Sequence, residues 1–456
     1  MTKVSRFFSA LICLLLLCNF LWAQEYPKYY TVDEMPDAGV FLPAPPSFDS
    51  PAFANDFYKW QWGKTIRDSE RGVMASDDSE KNVKRMAEIY GEQLEMEITK
   101  EGTPAIWKLI YRTGETARYS VVKAKQKYMR VRPFAKMNEH VFGAYDDEER
   151  LRGNGSYPSG HTAYGWSVAL VLAEMAPEYQ DAVLRRGYQY GESRVIVGAH
   201  WQSDVDASRM AMAAAMARLH TNKEFLDDLA AARAEYAKVK GLPKKQELTE
   251  YPKGQNIMDV VVDINNFDYY ADVATFWEAE KLRDTERGQQ ALVDADSSEE
   301  AMMACFTPSF GINISAEETP NIVALMAAMR QTLLSEASRM KATCFRKRPY
   351  VQLGETTMIP EAEEATAGTS SFPSTSSALG WGMALILTEI APEHQNEIMQ
   401  RGYEYGYSRV IVGYHYSSDV LAGRIMATYV YTQMHNDPAF AKLLAKAKKE
   451  YSKKFK

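Results

Sequence analysis

Cysteine is scarce in this chain of 456 residues. Four are present, and none lies between residues 19 and 304, so the first half of the mature chain cannot depend on a disulfide bond. Cys305 and Cys344 remain in the second half, where an oxidising compartment would allow them to pair. With no histidine pair nearby, the two thiols make a poor zinc site. The sequence shows no carboxylate cluster of the kind that holds a metal, and we expect no cofactor.

Long apolar runs are equally scarce. Residues 7–21 form one, which follows Lys3 and Arg6 and precedes Ala23 at the end of a plausible cleavage site. This order is typical of a secretory signal peptide, here residues 1–23, and the alternative is an uncleaved membrane anchor. No later segment approaches the roughly 20 apolar residues that a membrane-spanning helix needs. We therefore expect a soluble mature protein that is periplasmic or secreted, with no membrane attachment after cleavage.

The chain also lacks a concentration of basic residues. Its net charge is −7, and both signs are mixed along its length. A nucleic-acid-binding protein would show a basic stripe, so we expect no nucleic acid polymer as a partner. The lysine-rich residues 442–456 are more typical of a solvated helix face than of a binding tail. Small molecules remain as the expected partners.

The sequence repeats itself. RDSERG at 67–72 returns as RDTERG at 283–288, and RGYQYGESRVIVGAHWQSD at 186–204 returns as RGYEYGYSRVIVGYHYSSD at 401–419. Equivalent residues are 215 or 216 positions apart, which indicates two duplicated domains rather than a solenoid. We predict a first domain at 24–240, a linker rich in charge and proline at 241–254, and a second domain at 255–456.

The pattern of apolar residues predicts an all-α fold with two tandem helical bundles. Helices are expected at 160–175, from Pro177 to about 197, from His200 to 219 and at 223–239. Pro177 suits the first turn of a helix. Residues 73–103 and 351–370 are expected to be irregular or weakly helical.

A histidine and an aspartate come first among the candidate catalytic residues. His200 and Asp204 are four positions apart on a predicted helix and therefore share a face. Asp204 would accept from the imidazole or from a donor beside it, leaving one ring nitrogen free to attack. On its own, such a pair is more often a surface ion pair.

Three cations and a turn form a candidate anion cage. Lys125, Arg132 and Arg194 keep their charge at working pH, and the arginine fork suits phosphate oxygens. Ser159 and Gly160 lie at a predicted helix start, where free backbone N–H groups favour an anion. Ser159 is equally suited to be an ordinary helix cap, and one role does not exclude the other.

His161 completes the set. Beside an anion site, a histidine can protonate a leaving oxygen, and its ordinary pKa of about 6.5 suits mildly acidic conditions. The residues together indicate phosphoryl transfer by a nucleophile, a charge cage and an acid. We expect activity to be highest at about pH 5 to 6, because the rate falls as His161 loses its proton.

The motifs KxxxxxxRP, PSGH and SRxxxxxHxxxD, which begin at Lys125, Pro158 and Ser193, resemble those of the type-2 phosphatidic acid phosphatase and vanadium haloperoxidase superfamily. Their surroundings are similar to the bacterial class A nonspecific acid phosphatases. The resemblance implies an all-α domain and a metal-independent, broad-specificity acid phosphatase that acts through a phosphohistidine, with phosphotransfer to alcohols as a further activity. The implied roles are His200 as nucleophile with Asp204 as its partner, His161 as general acid and then base, and Lys125, Arg132, Ser159, Gly160 and Arg194 as phosphate ligands.

The second repeat keeps most of these positions and changes two. The retained residues are Lys341, Arg348, Ser374, Arg409, His415 and Asp419. Thr375 stands in the place of Gly160, where we expect its branched side chain to disturb the turn, and Ser376 replaces His161. A serine hydroxyl cannot act as the acid near neutrality, so this unit is expected to be degenerate.

Alternatives remain open for the second unit and for the chain. The second unit is a weak domain that still binds phosphate, a structural partner that replaces the second subunit of a dimer, or an active domain with a different acid. The whole chain is alternatively a vanadium-dependent haloperoxidase, which would use the same cage for vanadate, or a non-catalytic phosphate-binding protein.

Overall fold

The computed structural model describes residues 26–242 and 268–455, and within these ranges the secondary structure is entirely helical. The first unit contains α1 Ala38–Phe41, α2 Phe53–Thr65, α3 Glu70–Asp77, α4 Val83–Gln93, α5 Pro104–Ala117, α6 Val122–Tyr128, α7 Pro133–Lys136, α8 Glu148–Arg152, α9 Gly160–Met175, α10 Gln180–Ile196, α11 Gln202–Leu219 and α12 Lys223–Lys240. The second contains α13 Asp268–Glu280, α14 Glu286–Val293, α15 Glu299–Phe310, α16 Pro320–Thr343, α17 Pro349–Leu353, α18 Glu363–Thr366, α19 Thr375–Ile390, α20 Gln395–Val412, α21 Ser417–Met434 and α22 Pro438–Lys454. The predicted signal peptide at 1–23 and positions 243–254 of the predicted linker lie outside the described residues.

The predicted helices are confirmed with three changes. The helix expected from Pro177 begins with a 3₁₀ turn at Pro177–Tyr179, and the α-helical part, α10, starts at Gln180. The helix at 160–175 and the one from residue 223 are present as α9 and α12. The helix expected from His200 begins only at Gln202, because Trp201 has extended backbone and Asp204 caps it. Residues 73–103 are more regular than expected, since α4 buries Met86, Ile89 and Tyr90 and is stabilised by that packing.

Each unit is built around one helix that is buried on nearly all sides. Every residue of α9 after Gly160 is buried, and α19 is buried from Ser377 to its end. A helix that is apolar all round belongs in the centre of a bundle. Helix α10 lies close to α9, and α20 lies close to α19. A Cβ added to Gly165 or to Gly380 would lie within 2.5 Å of a tyrosine ring on the neighbouring helix. These two glycines therefore fix the helix spacing at the same place in each unit.

The two units share one core. Helix α11 packs against α19 and α21, and α9 packs against α21, so the buried apolar residues of both repeats form a continuous cluster. Polar contacts cross the junction as well: Gln433 Nε2 donates to the carbonyl of Ala173 at 2.9 Å, and Arg233 Nη2 donates to Asn436 Oδ1 at 2.6 Å. The two units produced by the duplication therefore pack against each other through a common core and are not independent domains joined only by a linker.

Two further expectations concern cysteines and membrane segments. Cys305 and Cys344, both in the described part of the chain, are not joined by a disulfide bond. Among residues 26–242 and 268–455, no helix combines the length and the apolar character required to cross a bilayer.

Candidate active site

The start of α9 carries the PSGH motif. Ser159 is the N-cap, and its hydroxyl accepts from the backbone N–H of Thr162 at 3.2 Å, which confirms its role as a cap. Its own N–H donates to the carbonyl of Asp204 at 3.0 Å, and its carbonyl accepts from Ser208 at 2.8 Å. The first turn of α9 is thus tied to the first turns of α11, and its unpaired N–H groups form a helix N-terminus suited to an anion.

His200 lies close to Asp204, but not on a shared helical face as predicted. The chain turns at Gly198, which has a φ of +79°, and the N–H of His200 donates to the carbonyl of Arg194 at 3.1 Å. This turn brings His200 Nδ1 to 3.4 Å from Asp204 Oδ2, two residues before α11 begins. The expected proximity is therefore confirmed, whereas the expected helical geometry is wrong.

The contacts of His200 assign its tautomer. Arg132 Nη1 lies 3.0 Å from Nε2, and a guanidinium can only donate, so Nε2 keeps its lone pair. The proton of the neutral ring is then on Nδ1, facing Asp204. Burial lowers the pKa of His200 well below 6.5, and the charges of Arg132, Lys125 and Arg194 lower it further. The ring is consequently neutral at mildly acidic pH, with an unprotonated nitrogen directed into the cage.

Arg130, which the motif analysis missed, holds Asp204 and is itself held by Asp56. Arg130 donates to Asp204 Oδ1 at 2.7 Å and to Asp56 Oδ2 at 2.7 Å, and all three side chains are buried. The backbone N–H of Trp201 donates to Asp204 Oδ2 at 2.8 Å. Burial raises the pKa of Asp56 to about 6, opposed by Arg130. The repeat contains a signal for this network, because Asp272 and Arg346 recur 216 positions later with the same contacts.

The three predicted cations surround the same space. Arg132 is held by the carbonyls of Leu151 and Asn154, both 3.0 Å from its Nε, and Lys125 Nζ donates to the carbonyl of Gly155 at 2.6 Å. Burial, with Arg132 next, lowers the pKa of Lys125 well below 10.5, while burial and Arg194 lower that of Arg132 to about 10. The lowered pKa values show that burial and neighbouring positive charges disfavour the charged forms of Lys125 and Arg132. A bound anion would stabilise those charged forms.

Arg194 differs from the other two cations because it has a carboxylate partner. Its Nη2 donates to both oxygens of Asp146, at 2.7 and 2.9 Å, while Nε and Nη1 have no hydrogen-bond partner among the described residues. The guanidinium is completely buried. It therefore keeps donors for a ligand while Asp146 holds its position.

His161 is positioned by the loop before α4. Its Nε2 lies 3.0 Å from the carbonyl of Ser79, which can only accept, so Nε2 carries a proton. Nδ1 is left as the nitrogen that can exchange a proton with a ligand. Burial lowers the pKa of His161 well below 6.5, followed by the charges of Arg194, Lys81 and His200.

Lys81 is a further site residue that the motif analysis missed. It lies two positions after Ser79, is half-buried, and its charge lowers the pKa of both His161 and Lys125. Burial, followed by Arg118, lowers the pKa of Lys81 itself to about 8. Its equivalent in the second repeat is Ser297, so a comparison of the repeats marks this position as a difference between the two sites.

The second unit reproduces the framework of the first. Arg346 donates to Asp419 Oδ1 at 2.7 Å, and Arg348 Nη1 lies 3.4 Å from His415 Nε2. His415 Nδ1 lies 3.7 Å from Asp419 Oδ2, slightly farther than in the first unit. Lys341 Nζ donates to the carbonyl of Ser370 at 2.7 Å. The retained residues are therefore brought together as a group.

Thr375 does not disturb the helix start, contrary to expectation. Ser159 and Ser374 both cap their helices, with φ and ψ of −73° and 116° against −73° and 109°. A Cβ on Gly160 would meet Lys125 Cε at 3.6 Å, an ordinary contact. Because this turn needs no positive φ, a β-branched residue fits.

A family comparison agrees with this geometry. The model of the PAP2 superfamily matches residues 108–225 and 321–440, one match in each unit. The chain belongs to the PAP2 superfamily. Its relatives include a "Non-specific acid phosphatase" of Providencia stuartii, 44% identical over 205 residues that cover 45% of this chain and 82% of the relative. A protein of the same name from Salmonella typhimurium is 38% identical over 234 residues, 51% of this chain and 93% of its own length. An "Acid phosphatase" of Zymomonas mobilis is 32% identical over 251 residues, covering 53% of this chain and 93% of the relative. Each relative thus corresponds in length to about one of the two units.

Proposed function

We propose that the chain is a broad-specificity acid phosphatase whose first unit hydrolyses phosphate monoesters through a phosphohistidine on His200. One observation carries the proposal: the unprotonated Nε2 of His200 lies 3.0 Å from Arg132 in a buried cage of cations. The names of the relatives support phosphatase activity and a wide substrate range. The sequence of residues 1–23 supports export to the periplasm or beyond.

Substrate binding is electrostatic in this mechanism. The phosphate dianion enters between Lys125, Arg132 and Arg194, and the N–H groups at the start of α9 donate to its oxygens. Such preorganised donors are typically worth several kcal/mol when they act on charge that develops in the transition state. The ester group points towards His161, the proton donor of the site.

The first chemical step transfers the phosphoryl group to the enzyme. His200 Nε2 attacks phosphorus, the N–P bond forms and the ester P–O bond breaks. Protonated His161 gives its proton to the leaving oxygen through Nδ1. Asp204, which faces the N–H at Nδ1 of His200, stabilises the positive charge that the ring acquires, and Arg130 keeps this carboxylate in place.

The second step releases phosphate. His161, now neutral, takes a proton from water, whose oxygen attacks phosphorus while the N–P bond breaks. Inorganic phosphate leaves and both histidines return to their starting states. An alcohol in place of water gives a new phosphate ester, which is the phosphotransferase activity that we propose alongside hydrolysis.

The decisive experiment compares His200→Ala and His415→Ala with the unmodified chain. Aryl phosphate hydrolysis is measured at about pH 5.5 in the presence of a chelator. We expect the first variant to be inactive and the second to keep the full rate. Rapid quenching in an alkaline denaturant, which preserves the acid-labile phosphoramidate, followed by mass spectrometry at alkaline pH should locate the phosphoryl group on the peptide containing His200. Full activity of His200→Ala, or loss of activity on chelation, would refute the mechanism.

A further inference from the structure

The cations of the second unit are less neutralised than those of the first. Lys341 donates to a carbonyl, and Arg348 Nη1 donates to the carbonyl of Tyr414 at 3.1 Å. Arg409 donates from Nη1 to the carbonyl of Ala295 at 3.3 Å, and its Nε has no hydrogen-bond partner among the described residues. Across the described ranges, no carboxylate forms an ion pair with any of these three cations.

The difference from the first unit lies in one loop. Arg194 is held by Asp146, and the residue 216 positions later is Ala362. Arg409 therefore has no carboxylate at the position that Asp146 occupies beside Arg194, although its side chain is 91% buried. Burial lowers the pKa of Lys341 to about 7, and it also lowers that of Arg348, with Arg409 as the next cause. A buried cation without a counter-ion is costly, so an anion bound here would remove part of that cost.

The other parts of an anion site are present. Ser374 caps α19, a helix of 16 residues, and its hydroxyl accepts from the N–H of Ser377 at 3.3 Å. The N–H groups of Thr375 and Ser376 belong to the first turn and have no helical acceptor. The start of α19 corresponds by the repeat to the start of α9, where a Cβ on Gly160 would lie 3.6 Å from Lys125 Cε, so its free amides and dipole belong to the same kind of anion site.

The parts needed for turnover are absent from the same place. Ser376 occupies the position of His161, and Ser297 that of Lys81, so no residue at either position can donate a proton near neutrality. Burial lowers the pKa of His415 to about 3, which leaves its ring neutral and able to accept from Arg348. Because general acid help is typically worth ~10²–10⁴-fold, esters with poor leaving groups would stay intact when bound here.

We propose that the second unit is a phosphate-binding site that holds inorganic phosphate without hydrolysing its esters, in addition to the site in the first unit. The ligand is recognised by Lys341, Arg348 and Arg409 and by the N-terminus of α19. The inference does not depend on hydrolysis in the first unit. In a phosphatase, such a site would bind the reaction product and stabilise the chain as product accumulates.

A matched pair of substitutions tests the two cages separately. His161→Asp and Ser376→Asp each place a carboxylate at the second position of a capped helix, where it repels phosphate but suits the helix end. His161→Asn and Ser376→Asn have the same shape without the charge. Titration calorimetry with inorganic phosphate on the full mature chain gives the number of sites, and thermal melting reports that each variant is folded.

We expect two phosphates per unmodified chain, one in either aspartate variant and none in the double variant. The asparagine variants should keep both sites, and Ser376→Asp should remove the remaining site of His161→Asp protein from the titration. A folded His161→Asp chain that binds no phosphate would overturn the proposal. So would a stoichiometry in His161→Asp protein that Ser376→Asp does not change.

Discussion

His220 and His435 stack on each other across the junction of the two units, with ring centroids 3.9 Å apart and planes inclined by 31°. Each ring donates from Nδ1 to a carbonyl of its own helix four residues earlier. Their Nε2 atoms lie 3.0 Å from Glu174 and 2.9 Å from Glu389. The pair is equivalent by the repeat, so the duplication placed the same residue on both sides of the contact.

This junction contains a linked set of charges. Burial on its own lowers the pKa of His220, but Glu174 first and then Glu389 outweigh it, so the pKa is raised above 6.5. Burial likewise opposes ionisation of Glu389, whose pKa Lys448 and then His435 nevertheless hold well below 4.5. The carboxylates act on histidines of both units, so protonation here is coupled to the packing of the units.

The first prediction concerns stability against pH. Because the folded pKa of His220 is raised, its contribution is complete below the unfolded pKa of about 6.5 and is lost as pH rises through the folded value. Glu174 and Glu389 have lowered pKa values, so their contributions are present above about pH 4.5 and disappear as pH falls through the folded values. We expect maximal thermal stability between these limits.

His220→Gln provides the control for this prediction. The amide fills similar space and still donates to Glu174, but it does not titrate. We expect the variant to melt at a lower temperature than the unmodified chain at pH 6, by about 2–4 °C for each kcal/mol of stability lost. Between pH 6 and 8, the melting temperature of the variant should fall less steeply than that of the unmodified chain. If the melting temperatures of the variant and of the unmodified chain fall in parallel as pH rises, His220 has no role in this pH dependence.

A second prediction concerns the pH dependence of catalysis. Burial, with Arg194 and Lys81, holds the pKa of His161 in the free enzyme well below 6.5. Because kcat/KM reports the free enzyme, it should fall with rising pH through a midpoint below 6.5. A bound phosphate dianion raises the pKa of a neighbouring histidine, so kcat should fall at a higher pH than kcat/KM. A kcat/KM that stays level up to pH 8 would exclude His161 as the acid.

Lys81 allows the electrostatic cause of that shift to be tested. Lys81→Ser introduces the residue that the second unit has at Ser297, and it removes a positive charge near His161. The pKa of His161 should rise, so the falling limb of kcat/KM should move to higher pH. Lys81→Arg keeps the charge and should leave the limb near its original position. An unmoved limb in Lys81→Ser would show that the charge of Lys81 does not act on His161.

The sequence predicted the residues that line the anion cage better than the residues that hold them in position. Ser159 and His161 could be placed from the PSGH motif, because a cap and a helix start are local properties of the chain. The motifs did not identify Arg130 and Asp56, because these residues are 74 positions apart and neither is a fixed position of a motif. The helix expected from His200 begins later than predicted because the side chain of Asp204 caps it. The periodicity of apolar residues carries no information about such a cap.

The packing of the units was also beyond prediction. Helix α9 has apolar residues on all sides, which indicates that it is buried. This pattern does not identify which other helices cover it. Gln433 illustrates the limit: it donates to Ala173 in the other unit, 260 positions away. Thr375 shows the opposite error, where a substitution of glycine suggested strain although the backbone at Gly160 needs no special conformation.

The fourth prediction separates the two aspartates. Asp204→Asn should lower kcat on the order of 10³–10⁴-fold, because the amide keeps the shape but cannot stabilise a charged His200. The corresponding Asp419→Asn should leave kcat unchanged, since we propose that the reaction takes place in the first unit. Steady-state kinetics on an aryl phosphate decide the matter, with circular dichroism to report folding. Equal losses in both variants would mean that each unit is catalytic.

The last prediction restores the missing acid. In His200→Ala protein, the substitution Ser376→His should create alkyl phosphate hydrolysis, because the second cage already holds His415 beside Arg348 and Asp419. General acid help worth ~10²–10⁴-fold should raise the rate well above that of His200→Ala alone, and His415→Ala should abolish the gain. Ser376→Asn is the control that fills the position without an ionisable ring. If the restored unit binds phosphate but stays inactive, the second site was silenced by more than the loss of its acid, and Ser297 in place of Lys81 is the next position to exchange.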